Sequence, residues 1–366
     1  MALLEARDLS VLLRTHRGPA YAVRNVSFTL EEGATLGLVG ESGCGKSITA
    51  MALMGLLPEN AKVTGSIRFE GQELVGKPER EMCRLRGDRI GMIFQEPMTA
   101  LNPVHTIGHQ VAEPLRLHRG LGARQARSEA IALLERVGIP NAAGRIDAYP
   151  HQFSGGQRQR ITIAMALACG PDLLVADEPT TALDVTIQKQ ILALIRDLVA
   201  ERRMALVLIS HDLGVIAQNV GRTLVMYGGS VVEDGPTASV FANRMHPYTL
   251  GLFGARPGLR STRGTRLATI PGTVPELVDL PAGCPFAGRC GFTIPKCHVT
   301  VPPPYEVGAG HHARCIRLDA VAAAKAGSPH PHPLPQAGEG APIPQVSSLL
   351  PQAGEGKSPL PLAGEG

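Results

Sequence analysis

The segment Gly40-Glu41-Ser42-Gly43-Cys44-Gly45-Lys46-Ser47 constrains this chain more than any other. It follows a short apolar run, Thr35–Val39, that reads as a strand, and it precedes Ile48–Leu57, which reads as a helix. That is the setting a phosphate loop requires. Glycines let the backbone turn tightly, so that successive N–H groups face phosphate oxygens. The following helix N-terminus adds positive potential. Lys46 places a charge near the terminal phosphates, and the Ser47 hydroxyl can ligate Mg²⁺. Further strand-like runs at Leu173–Ala176 and Ala205–Ile209 alternate with helical patterns. The fold class expected is therefore α/β, with βαβ units and a largely parallel sheet.

A second, acidic site follows from the run Leu173–Ala176, which ends in Asp177-Glu178. A carboxylate at the C-terminal end of a parallel strand sits beside the phosphate loop in such folds. Asp177 would hold Mg²⁺, directly or through water, and Glu178 would polarise an attacking water. Alone, such a run is more often a strand followed by a solvated turn; the loop upstream reverses that preference. Ser154-Gly155-Gly156 precedes a helical run, Gln157–Ala168. A serine N-cap with bare backbone amides makes another anion site.

Composition excludes several classes. The net charge of +4 is too mild to argue for nucleic acid, and the absence of Trp with 4% aromatics argues against a base-stacking surface. The most apolar run, Ile161–Ala176, is interrupted by Gly170, Pro171 and Asp172 and falls short of the roughly 20 residues a membrane span needs. The N-terminus shows no basic region followed by a secretory apolar core. The expectation is a cytosolic protein that meets a membrane through partners. Residues 1–244 read as one globular unit, with Glu113–Val137 helical. From 245 Pro becomes frequent, and four of the seven cysteines lie between 284 and 315. From 322 to 366 the chain repeats Leu-Pro-Gln-Ala-Gly-Glu-Gly and close variants. Such Pro/Gly repeats bury too little apolar area to order themselves, so a disordered tail is expected.

The motifs together resemble the ATP-binding subunits of ABC transporters. Gln95, in Met92-Ile93-Phe94-Gln95-Glu96-Pro97, matches the family's Q-loop; Ser154-Gly155-Gly156-Gln157 matches its signature sequence. Thr181-Ala182-Leu183-Asp184 matches the D-loop, and His211 the switch histidine. The resemblance covers about residues 3–318. It implies a RecA-like P-loop NTPase core, an antiparallel β subdomain, an inserted helical subdomain at about 95–165, and a small Cys-containing C-terminal extension. It also implies ATP and Mg²⁺ as ligands, with Ser47, Asp177 and Gln95 at the metal, and Glu178, His211 and Gln95 in catalysis. In this family the loop of one subunit and the signature of another enclose one ATP, so a homologous ATPase subunit is expected as partner. An aromatic that usually stacks on adenine is replaced here by Leu13, with Tyr21 the nearest aromatic.

Finer segments resemble the oligopeptide/dipeptide importer branch: Phe94–Pro103, Tyr149-Pro150-His151-Gln152-Phe153, His246-Pro247-Tyr248-Thr249, and the extension at 245–318. The branch implies import of a small solute, most often di- or oligopeptides, through two permease subunits served by an extracytoplasmic solute-binding protein, with this chain on the cytoplasmic face. Cys284, Cys290, Cys297 and Cys315 are four clustered thiols, which in a cytosolic setting argue for a metal over disulfides. Zinc, a [4Fe–4S] cluster and free thiols all stay open on the residues, with His298, His311 and His312 as alternative ligands. The resemblance favours the cluster, in a structural role. DNA-repair ATPases of the wider family insert long coiled coils between loop and signature; only 107 residues lie between Lys46 and Ser154, without heptads.

Overall fold

A computed structural model describes residues 2–181, 183–255 and 269–326. Among them the strands are, in chain order, β1 (Ala2–Thr15), β2 (Gly18–Glu31), β3 (Thr35–Val39), β4 (Ala61–Phe69), β5 (Gln72–Glu73), β6 (Ile90–Ile93), β7 (Leu173–Asp177), β8 (Ala205–Ile209), β9 (Arg222–Tyr227), β10 (Ser230–Pro236), β11 (Tyr305–Gly308) and β12 (His311–Ala313). One antiparallel sheet has the order β2-β1-β4-β5; the other runs β11-β12-β10-β9-β3-β8-β7-β6. In the second sheet β9, β3, β8, β7 and β6 are parallel, and β10, β12 and β11 are antiparallel.

The parallel strands are apolar on both faces because both faces are covered. On β7, Leu174 and Ala176 enter one core with the helical residues Ile161, Ile191 and Ile195, while Leu173 and Val175 enter a second with Leu4, Leu53 and Phe69. β8 divides likewise, Leu206 and Leu208 to one side, Val207 and Ile209 to the other. This order puts the C-terminal ends of β3, β8 and β7 side by side. The loop, His211 and the Asp177-Glu178 pair leave the sheet at one edge.

Between β6 and β7 lies a group of helices, chiefly Ile107–Arg119, Ala123–Arg136 and Gly155–Ala166. The expected single helical stretch over 113–137 is two helices. Gly120 takes φ 66° and stops the first, with its N–H donating to the Leu115 carbonyl. Val111 and Leu115 on one helix meet Ala126, Ala130 and Leu134 on the next in a common core.

The C-terminal region is built onto the main sheet: β12 pairs with β10 through Glu233–Ala313 and Asp234–His312. Residues 322–326, expected to belong to the disordered tail, are helical: Leu318–Ala326 is a helix with Val321 buried. Five alanines among its nine residues favour it. The repeats from 327 onward, and Ala182, lie outside the described residues. No helix among the described residues is long and apolar enough to cross a membrane.

Candidate functional site

The loop between β3 and the helix Lys46–Met54 is wound as the glycines predict. Gly45, the N-cap, sits at φ 101°, and a Cβ there would run into the Ala22 carbonyl of β2. Lys46 is buried, and its ammonium donates to the Gly40 carbonyl at 2.8 Å and the Glu41 carbonyl at 3.1 Å. The charge is thus held over the mouth of the loop by its own backbone. Cys44 is buried, with Sγ 3.8 Å from the Lys46 ammonium; burial pushes its thiol pKa up.

The acidic pair meets this loop across the sheet. Ser47 Oγ donates to Asp177 Oδ1 at 3.1 Å. Asp177 is buried, and desolvation raises its pKa above the ordinary carboxylate value despite the Ser47 hydrogen bond. A buried carboxylate facing a hydroxyl, with oxygen donors only, suits Mg²⁺, which takes one or two carboxylates plus substrate phosphates. The next residue, Glu178, stands at φ 45°, in the left-handed region, with its N–H on the Ile209 carbonyl at 3.0 Å. That turn directs the side chain out of the sheet edge. Its Oε2 accepts from Thr181 Oγ1 at 2.9 Å and lies 3.0 Å from His211 Nδ1. Glu178, Thr181, Ser210 and His211 line one cavity of about 290 Å³. A carboxylate oriented by a hydroxyl and an imidazole beside a phosphate loop can take a proton from water.

The structure joins Lys46, Ser47, Asp177, Glu178 and His211, but not the remaining predicted residues. Gln95 is exposed, two positions beyond β6, and makes no hydrogen bond to Ser47 or Asp177 among the described residues. Ser154 caps Gly155–Ala166: its hydroxyl accepts from Gln157 N at 3.3 Å, and the Gln157 side chain accepts from Ser154 N at 3.2 Å. The packing partners of the two glycines are Leu183 and Ile187; a Cβ on Gly156 would come within 2.9 Å of Ile187 Cγ2. Asp184 caps Val185–Arg202, accepting from Thr186 N and Ile187 N, both at 3.0 Å. The signature turn therefore rests on the helix that the D-loop starts.

Comparison with known proteins decides the family. Residues 23–181 match the model described as ABC transporter, and residues 232–297 match the model described as oligopeptide/dipeptide transporter, C-terminal region. A Brucella melitensis protein provisionally named a peptide import ATP-binding protein is 49% identical over 333 residues, covering 88% of this chain and 98% of the relative. The oligopeptide transport ATP-binding protein OppD of Salmonella typhimurium is 48% identical over 315 residues, covering 86% of this chain and 93% of its own. The chain belongs to the ATP-binding subunits of ABC transporters. Among solved structures, the dimeric ATP-binding cassette MJ0796 with ADP and Pi aligns with TM-score 0.58 and 28% identity, over 64% of this chain and 98% of that one. The RecA-like P-loop core expected from the motifs is the fold of this ABC subunit, and its activity is that of an ABC ATPase.

Sequence reasoning missed how the C-terminal region of this ABC subunit holds the loop. Glu41 is tied twice. Its N–H donates to the Tyr248 hydroxyl at 2.8 Å, and its carboxylate accepts from both terminal nitrogens of Arg289, at 2.8 and 3.2 Å. Arg289 is largely buried and also donates to the Pro271 carbonyl at 2.9 Å. Tyr248 packs against Tyr227 and Phe286. The signal available was the segment His246-Pro247-Tyr248, which marks the branch but does not disclose its contact.

The metal expected at the cysteines is not supported. Cys284, Cys290, Cys297 and Cys315 do line one apolar cavity, but its volume is about 20 Å³, room for about one water. Among the described residues no three His, Cys, Asp or Glu side chains form a group that could hold a metal ion. Burial pushes the Cys284 thiol up to about 12 and that of Cys315 to about 11. The alternative ligands are elsewhere: His311 lies 2.8 Å from buried Glu233, His312 faces Asp234 and His298 is exposed. The histidine on that cavity is His246. Of the two residues named for the adenine position, Tyr21 lines a cavity with Ser10, Thr64 and Arg314, and Leu13 lines a cavity with Ser42 and Gly43 of the loop.

Proposed function

We propose that this chain is the ATP-hydrolysing subunit that powers peptide import through a partner permease. The observation that carries the reading is the meeting of Lys46, Ser47, Asp177, Glu178 and His211 at one sheet edge, in a chain whose C-terminal region is of the oligopeptide/dipeptide transporter type. The loop amides and Lys46 bind the triphosphate. Ser47 and Asp177 would hold Mg²⁺, which would supply positive charge to the transferring phosphoryl group. Glu178 takes the proton of the attacking water, and His211 beside it contacts the γ-phosphate. Ser154, Gly155, Gly156 and Gln157 complete the ATP site of a homologous subunit, probed by the expected heterodimer, while Asp184 sets the turn between the two sites. Gln95, at the edge of the helical subdomain, transmits nucleotide state to the permease.

Nucleotide binds the closed pair more tightly than the open pair, and that difference drives the permease. The chain works at the cytoplasmic face of the membrane, with two permease subunits and an extracytoplasmic solute-binding protein. The functional reading is tested in proteoliposomes holding the full complex. Peptide-loaded binding protein should stimulate ATP hydrolysis and drive peptide uptake; hydrolysis indifferent to every peptide offered contradicts it.

A further inference from the structure

A cavity lies where the antiparallel sheet meets the C-terminal region. Its volume is about 380 Å³, within the range of small-molecule sites, about 300–1,000 Å³. β2 supplies Tyr21 and Arg24 to its walls, β4 Thr64, β10 Val231, and the C-terminal region Val301 and Arg314. It shares no lining residue with the phosphate loop or with the cavity of Glu178 and His211.

Two guanidinium groups border this cavity without a carboxylate of their own. Among the described residues Arg24 makes one side-chain hydrogen bond, a long one of 3.4 Å from a terminal nitrogen to the Leu277 carbonyl. Its Nε is buried and has no partner. Burial pushes the Arg24 pKa down, against a smaller pull from Tyr21, whose ring centroid lies 5.9 Å away. The half-buried Arg314 side chain makes no hydrogen bond or ion pair among the described residues. The carboxylates that act on its charge through space are engaged elsewhere: Asp234 with Arg222 at 2.6 Å, and Asp8 with the Ser27 hydroxyl at 3.3 Å. A guanidinium withdrawn from water costs free energy unless a partner replaces its hydration. Arg289, also buried, shows the usual arrangement, with Glu41 at 2.8 Å.

We propose that this cavity is a site for a small organic anion, a carboxylate or a phosphate ester, whose charged group lies between Arg24 and Arg314 and whose apolar body lies against Val231, Val301 and the Tyr21 ring. Two guanidiniums offer forked donors matched to the oxygens of such a group, and the Thr64 hydroxyl adds a neutral one. Tyr21 and Val301 are large apolar side chains left exposed beside these charges. Apolar surface with a few placed polar groups is the composition of a ligand site. The occupant joins parts of the chain that are distant in sequence, since Arg24 belongs to β2 and Arg314 follows β12. It therefore braces the C-terminal region against the antiparallel sheet, apart from the nucleotide site.

The test titrates the full chain with phenyl phosphate, benzoate and phenol, each with and without saturating Mg²⁺-ADP. Wild type should bind phenyl phosphate or benzoate saturably at one site per chain, unaffected by Mg²⁺-ADP. Phenol, which has the ring without the charge, should not bind. Arg24→Met and Arg314→Met should each weaken the anion about ten- to a hundredfold and leave Mg²⁺-ADP affinity within twofold. The thermal midpoint of anion-free protein separates a ligand site from a structural role. Exchanging an unpaired, half-buried charge for an apolar chain of similar length should leave that midpoint unchanged or raise it. A lowered midpoint in either variant marks the arginine as structural and overturns the proposal. Failure of wild type to bind either anion overturns it, as does binding that survives either substitution or that phenol matches. Binding displaced by Mg²⁺-ADP belongs to the phosphate loop and overturns it too.

Discussion

Glu41→Gln isolates the link between the C-terminal region and the phosphate loop. The substitution keeps the side chain's size and the Glu41 N–H bond to Tyr248, but removes the charge opposite Arg289. Burial works against the Arg289 charge, but the hydrogen bonds and charge interactions with Glu41 and Tyr227 together outweigh it and hold the guanidinium pKa above its ordinary value. Arg289 is 8% exposed and Glu41 27%, at 2.8 Å. Breaking a fully buried pair costs about 3–5 kcal/mol. Glu41 keeps some contact with water and Arg289 keeps its Pro271 and Gly272 carbonyls, so the expected cost is about 1–3 kcal/mol. Hydrogen exchange reads this locally, since an opening that is cheaper by that amount speeds exchange roughly five- to 150-fold. Amides over 284–290 and 40–44 should both accelerate, and the Mg²⁺-ATP affinity should fall. Arg289→Lys should not substitute for arginine, because an ammonium cannot span both oxygens. Exchange unchanged within twofold at 284–290 would refute the claim that this pair fastens the region.

Other expectations follow from the site. Glu178→Gln should leave ATP binding intact and lower turnover by about 10²–10⁴, the usual contribution of a general base; near-normal hydrolysis in a phosphate-release assay would remove Glu178 from that role. Asp177, a carboxyl with a raised folded pKa, adds stability below its unfolded value and loses it as pH rises through the folded one. Asp177→Asn should therefore raise the denaturation midpoint of nucleotide-free protein at neutral pH while abolishing Mg²⁺-dependent hydrolysis; a lowered midpoint contradicts this. His246 is fully buried, and desolvation lowers its pKa from 6.5 to about 4 against the pull of Glu233. A base with a depressed folded pKa stabilises above its unfolded pKa, so up to about 3 kcal/mol should be lost as pH falls from 6.5 to 4. His246→Gln should flatten that loss in acid denaturation.

What could be read from the sequence was local. Gly40–Ser47 and Leu173–Glu178 declare themselves through spacing and apolar runs, and the sheet order then brings their ends together. Ser154 was legible as an N-cap for the same reason. Pairings distant in the chain were not legible: Glu41 with Arg289 and with Tyr248, or Glu233 with His311. No local period encodes them, and each depends on where β12 docks. The break at Gly120 was masked by the uniform Arg, Ala and Leu composition around it, although a glycine in the left-handed region is a common helix stop. The cysteine cluster shows the opposite error. Spacing and type suggested a metal, but the side chains as placed enclose about 20 Å³ and form no group that could hold an ion.

The measurement that tests the account most directly is calorimetric titration of the purified full chain with Mg²⁺-ATP, beside Lys46→Ala. Saturable binding by wild type that is lost on removing the Lys46 ammonium is the predicted result. Equal binding by both proteins, or none by wild type in the presence of its partner subunit, would contradict the placement of the triphosphate on this loop.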